Sequence, residues 1–339
     1  MDRGYLGSVP APSERDDESY LDFVEGVRVF TMTSVQPAMS RATATATPDA
    51  NVTRMPIVAS RNRFYRSQQE MLWQGVTETY AKRKDELIAE LDRADTLGPG
   101  SIEWDPAFAL PDYLASVDYH LQPGGYCDDP IAGYVYHLGT KYFFTGRNNR
   151  DDVQRTLVNL APAPADGAVR RILDLGCSVG QSTTAWKERF PQAEVWGIDA
   201  CAPMVRYAHK RAVDLGVEVH FAQRLAEATG FPSGSFDIVS AFILFHELPR
   251  AAGEHVIVEA HRLLRPGGLF IVVDARNLPD GPPTAAQRVI WEFETTDNGE
   301  PYMLEFIGWD FNAALRRHFR TVVDDATEGS FLPMRVAER

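Results

Sequence analysis

The 339-residue sequence predicts a doubly wound α/β sheet preceded by a helical N-terminal region, on three observations. From Ala168 onward, short runs rich in Val and Ile alternate with segments of helical length, the pattern of parallel strands covered on both faces. The first run, RILDL, passes directly into the small-residue loop GCSVG and then into a helical segment. Upstream, apolar residues recur at helical spacing instead.

Taken in order, residues 1–60 are uneven. The acidic stretch ERDDESYLDFVEG is followed by SVQPAMSRATATATPDANVTRMP, rich in Ala, Thr and Pro, whose composition predicts a mobile linker or extended arm. Residues 61–165 read as a helical cap. Leu72, Val76 and Tyr80, then Leu87, Ile88 and Leu91, mark one long helical stretch that Gly98-Pro99-Gly100 stops. A shorter, turn-rich region continues to about Pro164. Residues 166–339 carry the alternation: RRILDL, EVWGID, VEVHFA, FDIVSAFIL and LFIVVDA as strands, with QSTTAWKERF, APMVRYAHKRAVDL and RAAGEHVIVEAHRLL as helices. WDFNAALRRHF is a further helix, and RTVVDDA with SFLPMRVAE can pair as a terminal hairpin.

Composition narrows the function. A net charge of −13 gives no broad basic face, so nucleic acid is not an expected partner. No run of apolar residues is long enough to span a bilayer, and the N-terminus shows no basic segment leading into an apolar one. The three cysteines, Cys127, Cys177 and Cys201, are odd in number and lack metal-type spacing, which suits a reducing compartment and predicts a cytoplasmic protein.

In an open α/β sheet, ligands bind beyond the carboxyl ends of the strands. Gly176 and Gly180 in GCSVG let the backbone approach such a ligand, and Asp199, at the end of the second strand, can accept both ribose hydroxyls of an adenosine cofactor. A dinucleotide loop of the form G-x-G-x-x-G presents free amides to pyrophosphate. Here Asp174 precedes the first glycine by two residues. A carboxylate there opposes pyrophosphate and suits the ammonium of a methionine moiety, so the charge logic selects S-adenosylmethionine over NAD.

ILDLGCSVGQST, VWGIDACAPMVRYA, FPSGSFDIVSAFILFHELP and EAHRLLRPGGLFIVVD together resemble the successive motifs of class I S-adenosylmethionine-dependent methyltransferases of the type 11/12-like, small-molecule kind. The resemblance covers residues 165–339 and implies a Rossmann-like, seven-stranded sheet. The family's first motif usually reads D-x-G-x-G-x-G; Ser178 replaces the central glycine. The cofactor residues implied are Asp174, Gly176, Cys177, Ser178, Gly180, Gln181, Asp199, Ala200, Met204, Leu225, Ala226 and Phe242. Leu225 and Ala226 stand where the family often has an Asp for the adenine amino group, so backbone groups and apolar packing replace it. The cofactor implied is S-adenosylmethionine, with S-adenosylhomocysteine as product.

The loop LFHELP places His246 and Glu247 at the expected reaction centre. A neutral histidine or a carboxylate can take a proton there; packing, or transfer by positioning alone, accounts for them equally well. Asp112 to Phe144 holds six tyrosines and two histidines. Tyr119, His120, Tyr126 and Tyr136, joined by Trp104, form an aromatic lid or simply fill core. Trp291, Phe293 and Tyr302 belong to the insert after the fifth strand, a region that commonly lines the substrate pocket in this family. His120, Cys127, Asp128, Asp129 and His137 match no ligand spacing, so no metal is expected. The expected substrate is a small, rather apolar metabolite of specialised biosynthesis, methylated at O, N or C. Non-methylating catalysis on the same fold, or a non-enzymatic partner protein, are the alternatives, and the long helix can serve cap packing or a homo-oligomer.

Overall fold

Each apolar run from Arg171 onward alternates its side chains between two faces, so a sheet buried on both sides follows. The computed structural model describes residues 12, 14–325, 327 and 332–339. In chain order the strands are β1 (Ser101–Glu103), β2 (Arg171–Leu175), β3 (Glu194–Asp199), β4 (His220–Gln223), β5 (Phe236–Phe242), β6 (Leu264–Val273), β7 (Thr321–Val323) and β8 (Met334–Glu338). They form one sheet in the order β1-β4-β3-β2-β5-β6-β8-β7. All pairings are parallel except those of β8 with β6 and β7.

The cap holds α1 (Arg15–Phe30), α2 (Gln36–Ala42), α3 (Pro56–Ala81), α4 (Lys84–Ala94), α5 (Asp112–Ala115), α6 (Ala132–Phe143) and α7 (Asp152–Leu160). The sheet is flanked by α8 (Gln181–Arg189), α9 (Ala202–Leu215), α10 (Arg250–Leu263) and α13 (Phe311–Arg316), with α11 (Ala285–Asp297) and α12 (Met303–Ile307) in the insert after β6. Leu173, Val239 and Phe270 pack on one face with Val256 and Ala260 of α10. Their neighbours Ile172, Ile238 and Ile271 pack on the other with Trp186 and Ala208 of α8 and α9. The chain winds outward from β2 through β3 to β4, then returns to β5. The crevice therefore opens beyond β2 and β5, where Leu175 and Ala241 are paired.

Four expectations need correction. Among the described residues the sheet has eight strands, because Ser101–Glu103 leaves the cap and pairs with β4 at the edge. Gly100, at φ +89°, permits this; a Cβ there would sit 2.0 Å from the Val219 carbonyl oxygen. The N-terminal arm is helical from Arg15 to Ala42 through a π turn at Thr31–Val35. Few apolar residues suffice, because Leu21 and Val24 pack beside Leu72 and Trp73, while Met39 packs with Val289 of α11; residues 1–11 and 13 lie outside the described residues. The long helix breaks at Arg83, whose φ of −123° separates α3 from α4. Finally, Cys127 and Cys201 form a disulfide, against the expectation of unpaired thiols, because the cap segment packs on the start of α9; Cys177 is free and buried.

The terminal hairpin pairs as expected, although residues 326 and 328–331 of its span lie outside the described residues. Among the described residues no helix is long and apolar enough to cross a membrane.

Candidate active site

The loop after β2 bends through three left-handed residues, Gly176 (φ +62°), Ser178 (φ +47°) and Gly180 (φ +74°). At Gly176 a Cβ would stand 2.7 Å from Leu244 Cδ1, so only glycine lets the loops after β2 and β5 approach this closely. Ser178 occupies a conformation that costs an L-residue roughly 1–2 kcal/mol, and its N–H donates to Asp199 Oδ2 at 3.0 Å. Asp199 Oδ1 accepts from the Cys201 N–H at 2.9 Å. Burial raises the Asp199 carboxyl to about 6 against the lowering effect of these amides. The carboxylate is half-buried, which leaves acceptor capacity for the hydroxyls of a ribose. Ser178 Oγ lies 3.9 Å from Met204 Sδ, and Ala200 is half-buried with its carbonyl bonded to Gln223. Leu225 and Ala226 form the turn after β4, where Leu225 bridges to Ala228.

Other expected cofactor contacts point elsewhere. Asp174 is fully buried and accepts from Ser182 (2.5 Å), Thr183 (2.7 Å) and Ser240 (2.8 Å). Burial raises it to about 6, against these three hydroxyls. The carboxylate pins the start of α8 to the sheet and so supports the loop from beneath. Gln181 bonds Asp151 and Gln154, Cys177 faces Gly197 within the core, and Phe242 packs against Trp186. Each lies in the motif, yet the alternation of the backbone turns its side chain inward.

Above the loop after β5, cap and sheet meet in a chain of charged groups. Asp274, just past β6, bonds His246 Nδ1 at 2.6 Å, and His246 Nε2 lies 3.7 Å from Glu300 Oε2. Glu300 Oε1 is 2.9 Å from His120 Nδ1, and His120 Nε2 is 3.5 Å from Glu247 Oε1. Glu247 Oε1 also accepts from Tyr126 at 3.0 Å, and the Glu247 carbonyl accepts from Tyr119 at 2.8 Å. Tyr119 stacks on Tyr126, which meets Tyr136 edge-on.

Burial alone would lower both histidines. Asp274 and Glu300 outweigh it at His246, raising it to about 9, and Glu300 with Glu247 raises His120 to about 10. Asp274 and Glu300 thus favour the imidazolium form of His246 at neutral pH, whereas the sequence offered a neutral base as one reading. Glu300 is lowered despite burial because both imidazoliums face it.

The fold thus gathers Tyr119, His120, Tyr126, Tyr136 and Glu247, and adds Glu300 and Asp274, which sequence reasoning missed. Glu300 follows Gly299 (φ +73°), where a Cβ would fall 2.4 Å from the Asp118 carbonyl oxygen; the NGE turn after α11 was the available signal. Trp104 does not join the lid. It packs under Arg206 and bonds Asp95 at the far edge of the cap. Phe293 is buried against Tyr65, Trp291 is half-buried on α11, and Tyr302 stands near Tyr113 and Tyr119. Among the described residues no group of three or more His, Cys, Asp or Glu is arranged to hold a metal.

Comparison with known proteins places residues 172–268 on a family model described as a methyltransferase domain. The chain is 38% identical over 128 residues to demethylmenaquinone methyltransferase of Thermus thermophilus, covering 38% of this chain and 56% of that protein. It is 33% identical over 129 residues to ubiquinone biosynthesis O-methyltransferase of Pseudomonas aeruginosa, covering 37% of this chain and 53% of that protein. The chain therefore spans only about half the length of either relative. Among solved structures, the S-adenosylmethionine-dependent methyltransferase SibL in its apo form aligns at a TM-score of 0.46 with 19% identity, over 84% of this chain and 77% of that one.

Proposed function

We propose that the chain is a class I S-adenosylmethionine-dependent methyltransferase, a reading supported by the methyltransferase-domain match over residues 172–268, and that it methylates a small, rather apolar metabolite where the cap meets the sheet. The observation that carries this reading is the convergence of Glu247, His120 and Tyr126, with Glu247 close enough to help raise the Asp199 carboxyl. Crevice and cofactor fit. The left-handed loop has no room for side chains at Gly176 or Gly180, and Asp199 keeps acceptor capacity beyond its two amide bonds. Bound there, S-adenosylmethionine supplies an electrophilic methyl group on a sulfonium.

This chain's residues do the positioning. Asp199 holds the ribose, the bent loop closes on the cofactor, and the stacked tyrosines exclude water. Glu247 offers its remaining carboxylate oxygen to the proton of the acceptor group. His246, already protonated, fixes Glu300 and takes no proton. The relatives' names support methyl transfer itself, and the small, rather apolar acceptor and its place in specialised biosynthesis belong to the same proposal.

Calorimetric titration with S-adenosylmethionine tests it. Asp199→Ala is expected to weaken binding at least tenfold, about 1.4 kcal/mol. Unchanged affinity refutes the ribose assignment, and no binding by the wild-type chain refutes the reading as a whole.

A further inference from the structure

We propose that the cap face of α3 is a carboxylate-binding subsite, built from Arg61 and Gln68 and flanked by Arg28, that anchors an acidic group of the substrate. The inference rests on the methyltransferase reading and specifies the substrate class.

Two buried donors carry it. Arg61, only 1% exposed, donates from Nη1 to Asn62 and holds Nη2 at 3.8 Å from Glu294, which is beyond hydrogen-bond reach. Its Nε has no partner. Gln68, also 1% exposed, accepts from Arg28 through Oε1 at 3.2 Å. That bond fixes the amide orientation, so the unpaired atom is the donor Nε2. An unmet buried donor costs about 1–3 kcal/mol, and two on one helix face call for an acceptor.

The charges select an anion. The guanidiniums of Arg61 and Arg28 lie 4.6 and 5.4 Å from the ring centroid of Tyr65. Glu300 is engaged by His120 and His246. Glu294, the nearest other carboxyl, is raised to about 7 by burial and by Glu300, against Arg61, so it neutralises the arginines only in part. Planar guanidinium and amide donors match a carboxylate. Two acceptors of the facing segment, Asn298 Oδ1 and Glu300 Oε2, also lack hydrogen bonds, and a water bridging to the bound carboxylate serves them.

The subsite is continuous with the reaction centre. Arg28 lies over the Phe143 ring at 4.3 Å, and the His120 ring packs on the same residue at 5.4 Å. His120 reaches Glu247. This row of packed rings gives the direction in which an acid anchored at Arg61 would point its remaining atoms, toward Glu247.

The test titrates the full chain with 3-phenylpropanoate and with its primary amide, by calorimetry, with and without saturating S-adenosylhomocysteine. The acid is expected to bind at least tenfold tighter than the amide. The preference should vanish in Arg61→Met combined with Glu294→Gln, which removes both charges and leaves no orphan carboxylate, while affinity for S-adenosylhomocysteine stays unchanged. Gln68→Leu, which keeps every charge, should weaken the acid severalfold. Equal binding of acid and amide, binding of neither, or a preference that survives the double variant overturns the proposal. Failure of S-adenosylhomocysteine to bind the wild-type chain instead refutes the cofactor reading, and the titration without it still reports on the subsite.

Discussion

Replacing Asp274 by Asn separates the charge of the His246–Asp274 pair from its shape. The carboxylate is fully buried and accepts from His246, from the Phe245 N–H at 2.8 Å and from the Ala275 N–H at 2.7 Å. The net rise of His246, to which Asp274 contributes most and Glu300 and Glu247 the rest against burial, sets the scale. A rise from 6.5 to about 9 corresponds to about 3 kcal/mol. Because the folded value is raised, this stability is complete below pH 6.5 and is lost as pH climbs through about 9. An asparagine oxygen in place of Oδ1 can still accept from His246 and the Ala275 N–H, but its NH2 then meets the Phe245 N–H with a second donor, adding roughly 1 kcal/mol that does not depend on pH.

Urea unfolding of both proteins at pH 6 and pH 10 is the assay. The variant is expected to be less stable by about 4 kcal/mol at pH 6 and by about 1 kcal/mol at pH 10. His120, raised to about 10 by Glu300 and Glu247 against its burial, titrates in both proteins and cancels in the difference. A deficit equal at the two pH values would show that His246 is not held as an imidazolium, and the account of the charged chain would fail.

Two further outcomes follow from the cofactor loop. Ser178→Gly relieves a left-handed serine at φ +47° and should stabilise the fold by roughly 0.5–1 kcal/mol, the relieved strain exceeding the added chain entropy; destabilisation in urea would mean that the Ser178 hydroxyl outweighs the strain. Cys127→Ser opens a bond spanning 74 residues and should cost about 4 kcal/mol by loop closure. Wild-type protein with dithiothreitol should match the variant, and equal melting of the two without reductant would show that the bond does not form.

The sheet was legible because its strands are read from local patterns. RILDL and FDIVSAF alternate core faces within a few residues, and GCSVG needs its glycines for reasons contained in the loop. The direction of an acidic side chain was not legible in this way. Asp174 and Asp199 both sit at strand ends, but Ser182, Thr183 and Ser240 draw the first inward, whereas backbone amides hold the second at the crevice. The hydroxyls in QST were visible, but their acceptor was not. The N-terminal arm was misread because its cover comes from Leu72 and Trp73 of α3 and from Val289 of α11, which no composition window can see.

The same separation explains why the reaction centre was only half visible. His246 and Glu247 occupy a loop that fold logic places at the crevice, while the charge of His246 is set by Asp274 and Glu300, which lie far from it in sequence. A histidine read alone belongs near 6.5 and invites the role of base; enclosed between Asp274 and Glu300, it becomes a fixed cation. The proposed proton acceptor is then Glu247, whose Oε1 is taken by Tyr126 and His120. The cap contributes both groups that occupy Oε1. Closure of the cap thus sets the charge of the site as well as its shape, and a chain shortened to the sheet would keep the cofactor loop but lose the arrangement that aims Glu247.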